Sequence, residues 1–296
     1  MNPVRIEDLL DYRFLSAIEV APGGRHAAFL VKRANLDEND YSSDIHVVDL
    51  ETFTPRRLTA SGKDGPFVWA ADGTALYFLS KRVEIEDKSV LFRIALDGGE
   101  AERVAALPHT AEALLGCDGV TLFYTARVPL DGSPEADDAE DYEVLTEIPF
   151  WMNGKGFTNR KRLHLFRFDL NGEEATDQCE PDLEVDAVDF REGRALIVGR
   201  RFDGVAPTVH ELWQIDLSSG RRTQIPIPAV RIDAVRWFDA RTGVVAASDT
   251  LEYGLNQNRE LCTVDLSTGE MRSLIPDWDR SLGTSIPADC RHGGGA

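Results

Sequence analysis

The chain has 296 residues, 43% of them hydrophobic, and its 51 acidic residues outnumber 32 basic ones to leave a formal net charge of −19. That is enough apolar material for one large all-β domain or two ordinary ones, and it excludes disorder along the whole length. So acidic a surface repels phosphate backbones, which excludes nucleic acid as a partner.

The opening residues Met1-Asn2-Pro3-Val4-Arg5-Ile6-Glu7-Asp8 lack a basic stretch followed by an apolar one. No run of about 18 apolar residues occurs anywhere, so neither export nor membrane spanning has a signal and a cytoplasmic protein is expected. The first predicted element is a hairpin turning at Pro22-Gly23-Gly24, whose second strand is the apolar run Ala27–Val31. A second pair follows: Ile45–Leu50, a turn at Glu51-Thr52-Phe53, then the polar strand Arg56–Thr59.

The same four-strand unit then recurs. The next one has a turn at Asp72-Gly73, the apolar strand Ala75–Leu79, the strand Leu91–Leu96, a turn at Asp97-Gly98-Gly99 and the strand Glu102–Val104. The third begins with Asp118-Gly119 and Val120–Tyr124, is interrupted by the acidic segment Pro129–Phe150, and resumes with Leu163–Leu170 before Asn171-Gly172. The fourth runs through Glu192-Gly193, Ala195–Val198, Leu212–Leu217, Ser218-Ser219-Gly220 and Arg222–Ile225. The fifth has Ala240–Gly243, Val244–Ala247, Leu261–Leu266, Ser267-Thr268-Gly269 and Arg272–Leu274. Gly, Asn and Asp at the turns tolerate the positive φ of tight hairpins. The continuous apolar strands predict burial on both faces, as for the inner strands of sheets stacked between neighbours.

Between the closing leucines Leu50, Leu96, Leu170, Leu217 and Leu266 the intervals are 46, 74, 47 and 49 residues. Four short strands in about 40 to 50 residues is the period of a propeller blade. The predicted fold is therefore an all-β propeller domain over residues 1–280. Its five blades fall near 10–60, 61–107, 108–180 with an insertion at 129–157, 181–228 and 229–276, and a flexible tail follows at 281–296. A β-sandwich has no reason to repeat a four-strand unit at fixed spacing.

The wording of the repeat carries a resemblance. Ala21-Pro22-Gly23-Gly24-Arg25-His26-Ala27-Ala28-Phe29 resembles the turn SPDGKxxAF, and Trp69-Ala70-Ala71-Asp72-Gly73 resembles WSPDG with Ala in place of Ser and Pro. The strands Asp44–Leu50 and Arg56–Thr59 resemble DIWVVDL and RRLT. These segments are typical of the N-terminal propeller of the prolyl oligopeptidase family of serine peptidases. Trp151 to Leu165 resembles the segment DGxGFxxxxRxHLFV of its acylaminoacyl-peptidase-like branch. The resemblance covers about Ile6 to Asp277 and implies a seven- or eight-bladed propeller over an α/β-hydrolase domain carrying a Ser-His-Asp triad.

Here no Gly-x-Ser-x-Gly elbow occurs and nothing after Thr284 could build a doubly wound sheet, so the expected object is an incomplete, open propeller without the hydrolase. The implied function is that of the gate and size filter of a peptidase, inactive alone. Its expected partners are peptide substrates and the hydrolase domain, on this polypeptide or another, with self-association through an uncovered last blade. Inner-strand residues and the insertion Pro129–Phe157 would face substrate or hydrolase. The alternative is a stand-alone scaffold of the TolB kind, which shares the SPDG turn and recognises a protein partner.

Other chemistry has little support. The histidines His26, His46, His109, His164, His210 and His292 are scattered, with no elbow serine to serve. His210-Glu211-Leu212-Trp213-Gln214 begins like HExxH but ends in Gln at a strand start. The acidic loop Glu135, Asp137, Asp138, Glu140, Asp141 and Glu143 lacks EF-hand spacing and reads as a solvated, mobile insertion. Gly154-Lys155-Gly156-Phe157 reads as a hairpin tip, and Arg160-Lys161-Arg162 is too short a basic run for nucleic acid. Cys117, Cys179, Cys262 and Cys290 are widely spaced and read as reduced thiols, and the five tryptophans read as filling between blades. No catalytic, cofactor-binding or metal-ligating residue is assigned, and no cofactor is expected.

Overall fold

The computed structural model describes residues 5–130, 144–152, 155–278, 280 and 282. A short 3-10 turn at Ile6–Asp11 precedes five four-stranded antiparallel sheets, each with its strands in chain order apart from one inserted hairpin. These are the blades of a β-propeller fold. The tail beyond 282, Cys290 and the acidic residues Glu135 to Glu143 lie outside the described residues.

Blade one is β1 (Phe14–Val20), β2 (His26–Asn35), β3 (Asp40–Asp49) and β4 (Thr54–Arg57). Blade two is β5 (Asp64–Trp69), β6 (Ala75–Ser80), β7 (Ser89–Ala95) and β8 (Glu102–Leu107). Blade three comprises β9 (Ala111–Cys117), β10 (Thr121–Pro129), β13 (Lys161–Asp169) and β14 (Glu174–Asp177), with the hairpin β11 (Trp151–Met152) and β12 (Gly156–Phe157) inserted between β10 and β13. Blade four is β15 (Leu183–Arg191), β16 (Arg194–Arg201), β17 (Glu211–Asp216) and β18 (Arg222–Ile225). Blade five is β19 (Arg231–Trp237), β20 (Thr242–Ser248), β21 (Glu260–Asp265) and β22 (Met271–Ser273).

The leucine that marks the sequence repeat has a backbone job in every blade. Leu50, Leu96, Leu170, Leu217 and Leu266 each donate their amide to a carbonyl in the first hairpin turn of the same blade, on Arg25, Thr74, Val120, Gly193 and Arg241, at 2.8–2.9 Å. That bond ties the two turns of a blade together. In four blades the preceding aspartate completes the device: Asp49, Asp169, Asp216 and Asp265 each accept two backbone amides of the turn that follows. An Asx side chain bonding two residues ahead closes such a turn locally.

The described residues fall into two compact units, 5–125 with 167–176 and 126–166 with 177–282, whose boundary passes through blade three. In the first, Ile45, Val47 and Leu58 of blade one pack with Phe67, Trp69, Phe78 and Phe92 of blade two. All six residues of β6 are buried, which explains its unbroken apolar run. Gly73 has φ +69° and lies against Pro22, whose carbonyl oxygen would be 2.8 Å from an added Cβ, so the turns of adjacent blades approach to a distance only glycine permits.

In the second unit, Leu196, Val198 and Leu212 of blade four pack with Ile232, Val235, Val245 and Val264 of blade five. Each such fully buried side chain is worth roughly 1.5–3 kcal/mol relative to exposure. Tryptophan usage departs from the expectation. Trp69 is buried and Trp237 packs against the second core, but Trp151 and Trp278 are about half exposed because both lie outside the blade sheets proper.

Candidate functional site

Four innermost strands carry a β-bulge near their first residues: β1 between Ser16 and Glu19, β5 between Asp64 and Phe67, β15 between Val185 and Ala187, and β19 between Ile232 and Ala234. A bulge leaves one residue out of the ladder and re-aims its side chain. In blades four and five that residue is an aspartate. Asp186 is held by Arg200 through Nε at 2.8 Å and Nη2 at 2.6 Å, with His210 Nε2 at 3.4 Å; Asp233 is held by Arg231 at 2.7 Å and by Arg259. Partial burial pushes both carboxyls up, but their hydrogen bonds, from His210 and Arg200 at Asp186 and from Arg259 and Arg231 at Asp233, outweigh it and hold both below the usual carboxylate range.

The insertion of blade three sits at the same end of the blade-four strands. The sequence places Glu147 in the acidic segment Pro129–Phe150 and Arg162 in the short basic run Arg160-Lys161-Arg162, and the structure buries both side chains. Glu147 is 2% exposed and Arg162 is fully buried. Arg162 Nη2 donates to Glu147 Oε1 at 2.6 Å and to the Phe202 carbonyl at 2.8 Å, Nη1 donates to Glu147 Oε2 at 3.0 Å, and the guanidinium lies 3.8 Å from the centre of the Phe202 ring. The Arg160 amide adds a 2.8 Å bond to the same carboxylate. Burial raises the Glu147 carboxyl, and these bonds more than offset it, so its pKa lies below the ordinary value. No local pattern marks such a pair, because its members are 15 positions apart and Arg162 directly follows Arg160 and Lys161 in the sequence.

Two further devices fix the insertion. The Asn159 side chain accepts from the Thr146 and Glu147 amides and donates to the Val144 carbonyl. Ile148 then pairs in parallel with Val205 in the loop between β16 and β17, through Ile148 N to Gly204 O at 2.7 Å and Ala206 N to Ile148 O at 2.8 Å. Of the hairpin tip expected at Gly154–Phe157, Gly156 and Phe157 form β12 and face Met152 and Trp151 of β11, while Gly154 lies outside the described residues. The hairpin's Trp151 and Phe157, with Ile148 and Val205 beside it, are half or more exposed, an apolar cluster of the kind that marks a contact surface.

Between this hairpin and the starts of β13 and β15 lies a cleft of about 180 Å³. Pro149, Met152, Leu163, Val185 and Phe202 give it apolar walls. Its charged lining is Arg127, Lys155, Lys161, Arg200, Glu184 and Asp186. Glu184 takes a two-pronged pair from Arg127 at 2.9 and 3.0 Å and the Leu163 amide at 2.8 Å. Both carboxylates are thus already engaged by arginines.

Of the histidines, His210 touches Asp186 of the cleft lining at 3.4 Å, and His292 lies outside the described residues. His109 Nδ1 meets the Tyr124 hydroxyl at 2.8 Å, and His164 Nδ1 meets Asp177 at 2.6 Å with His164 itself buried. His210 Nδ1 accepts the Ile232 amide at 2.9 Å, and the strand β17 begins directly after it, as read from the failed HExxH pattern. Cys117, Cys179 and Cys262 are buried free thiols; burial pushes Cys117 up to about 11 and Cys179 to about 12, which keeps both protonated and unreactive.

The blades and their insertion define a β-propeller fold, and the chain is similar in fold to the propeller portion of acylaminoacyl peptidase structures. The acylaminoacyl peptidase of Pyrococcus horikoshii superposes with a TM-score of 0.69 at 15% identity, covering 92% of this chain and 41% of that one. A candidate TolB from Agrobacterium tumefaciens gives a TM-score of 0.56 at 11% identity, covering 88% of this chain and 80% of that one. In sequence, the uncharacterized peptidase YuxL of Bacillus subtilis strain 168 is 27% identical over 141 residues, 47% of this chain and 21% of that protein. No family model matches. The chain thus spans about two fifths of the peptidase structure it resembles and one fifth of the curated relative.

Proposed function

We propose that this chain is the propeller of an acylaminoacyl-peptidase-like serine peptidase of the prolyl oligopeptidase family, acting in the cytoplasm as the gate and size filter over a hydrolase domain on the same polypeptide or another. Residues 1–280 form its propeller domain in this reading. The observation that carries it is the superposition of nearly the whole chain on two fifths of an acylaminoacyl peptidase, together with the motif of residues 151–165. The exposed apolar cluster of Ile148, Trp151, Phe157 and Val205 is consistent with a surface that further polypeptide covers.

Two assays test it. The chain alone should not hydrolyse acylaminoacyl chromogenic substrates, and adding polypeptide that carries the remaining blades and a Gly-x-Ser-x-Gly hydrolase should yield activity that a serine-directed phosphonate blocks. Turnover by the chain alone, blocked by the same phosphonate, would overturn the assignment.

A second reading, a stand-alone scaffold binding a protein partner, draws on the 80% coverage of the TolB structure. It predicts a folded, monodisperse chain whose stability does not change when the hydrolase polypeptide is added.

A further inference from the structure

Four blades close their outer hairpin with the same device, an aspartate that accepts the amides two and three residues ahead of it. In blades one, four and five those residues are Glu51-Thr52, Ser218-Ser219 and Ser267-Thr268, and in blade three they are Asn171-Gly172. Asparagine followed by glycine carries chemistry that the other three turns lack. The main-chain nitrogen of the following residue can attack the asparagine side-chain carbonyl carbon, and glycine has no Cβ to obstruct the approach.

The turn leaves the electrophile free and holds the nucleophile. Asn171, Gly172 and Glu173 are exposed, and among the described residues nothing bonds the Asn171 side-chain amide. Gly172 N, by contrast, donates to Asp169 Oδ1 at 3.2 Å, beside the 2.8 Å bond from Asn171 N. The bonds from Asn171 and Gly172 hold the Asp169 carboxyl below its ordinary range, so it is an anion at neutral pH. An anion so close disfavours removal of the Gly172 amide proton, because the nitrogen would become negative beside it.

We propose that Asn171 is a site of spontaneous deamidation whose rate is set by opening of the turn that Asp169 closes. Once the Gly172 amide is released, its nitrogen bonds to Asn171 Cγ, the Cγ–Nδ2 bond breaks, and the amide proton departs with the leaving nitrogen as ammonia, which leaves a cyclic imide. Water then opens the imide. Addition at Cγ gives aspartate, and addition at the main-chain carbonyl gives isoaspartate, with the peptide running through the side chain; no reactant but water is needed. Either product adds a negative charge beside Asp169, Glu173 and Glu174, and isoaspartate also lengthens a turn whose Leu170 amide ties to the Val120 carbonyl. The outer hairpin of blade three thus keeps an irreversible record of its own local opening.

To test this, the full chain is incubated at mildly alkaline pH and digested, and deamidation is read by mass spectrometry on the peptide that holds residue 171, apart from the other Asn-Gly pair, Asn153-Gly154. An unfolded peptide of residues 165–176 supplies the rate without the turn. Conversion in the folded chain should be several-fold slower than in the peptide, and Asp169→Ala or sub-denaturing urea should raise it several-fold. Gly172→Ala should suppress it with an unchanged melting temperature, since Gly172 has no left-handed φ and an added Cβ would stand 3.5 Å from Asp169 Oδ2, an ordinary contact. Conversion in the folded natural chain as fast as in the peptide, equal rates with and without Asp169, or no conversion at residue 171 in any folded form would overturn the proposal. Should Asp169→Ala not fold, the urea series on the natural chain decides, and a rate independent of urea overturns the role of the turn.

Discussion

At the scale of the residue, the pair Glu147–Arg162 decides the most. Both groups are withdrawn from water, so each depends on the other, and deleting one partner of such a pair costs about 3–5 kcal/mol because an uncompensated charge is left behind. Arg162→Met should therefore lower stability by about that amount in denaturant titrations, and adding Glu147→Gln should recover much of the loss; additive losses in the double variant would contradict the coupling. The pH dependence has a definite sign. Glu147 has a lower pKa folded than unfolded, so on acidification the unfolded chain takes up the proton first and the pair's contribution drains away. The stability difference between the natural chain and Glu147→Gln should be constant above about pH 5 and shrink as pH falls below the ordinary glutamate value near 4.3. A difference that widens in acid would mean the carboxylate is not held ionised by Arg162.

At the scale of the element, the blade is closed by turns rather than by long strands. Each closing leucine amide reaches the other turn of its blade, and glycine is required where turns of neighbouring blades or adjoining loops touch. Gly269 has φ +74°, and a Cβ there would stand 2.2 Å from the Pro226 carbonyl oxygen. Gly269→Ala thus meets both a left-handed backbone penalty of roughly 1–2 kcal/mol and a collision with main chain. A clear fall in melting temperature is expected, larger than for Gly220→Ala, which shares the positive φ but has open space around it. Equal effects at the two sites would show that packing against Pro226 is not what demands glycine. The blade repeat was legible because the pattern of Gly and Asp at turns and of apolar runs on β2, β6, β10, β16 and β20 is local. The bulged innermost strands β1, β5, β15 and β19 were not, since their alternation is broken where the extra residue enters.

At the scale of the whole molecule, net charge and exposed edges set the behaviour. A net charge of −19 destabilises any compact state by self-repulsion, so the melting temperature should rise as sodium chloride is increased from about 10 mM toward 0.5 M. A fall over that range would assign more weight to the surface ion pairs than to the net charge. The chain spans 41% of the acylaminoacyl peptidase structure it resembles. If further blades belong beside it, they would cover edge strands and exposed apolar residues of blade five such as Leu251 and Leu274. Self-association of the isolated chain is then expected in size-exclusion chromatography, and a monomer that melts cooperatively by calorimetry would count against it.

The amino-acid order alone determined the class of fold, the count of blades, the place of the insertion and the likeness to peptidase propellers. The first three rest on periodicity and turn chemistry, which act over a few residues, and the likeness rests on the resemblance of local motifs. The tertiary structure alone decided which charges are buried, where the insertion is tied down and where the cleft forms. Arg162 with Glu147, Arg127 with Glu184 and Ile148 with Val205 are partners separated by 15 to 57 positions, the first brought together by the folding of the insertion and the other two by the meeting of blades three and four. Whether a charge meets water or a counter-ion is settled by that packing, and a linear pattern of like-charged neighbours carries no trace of it.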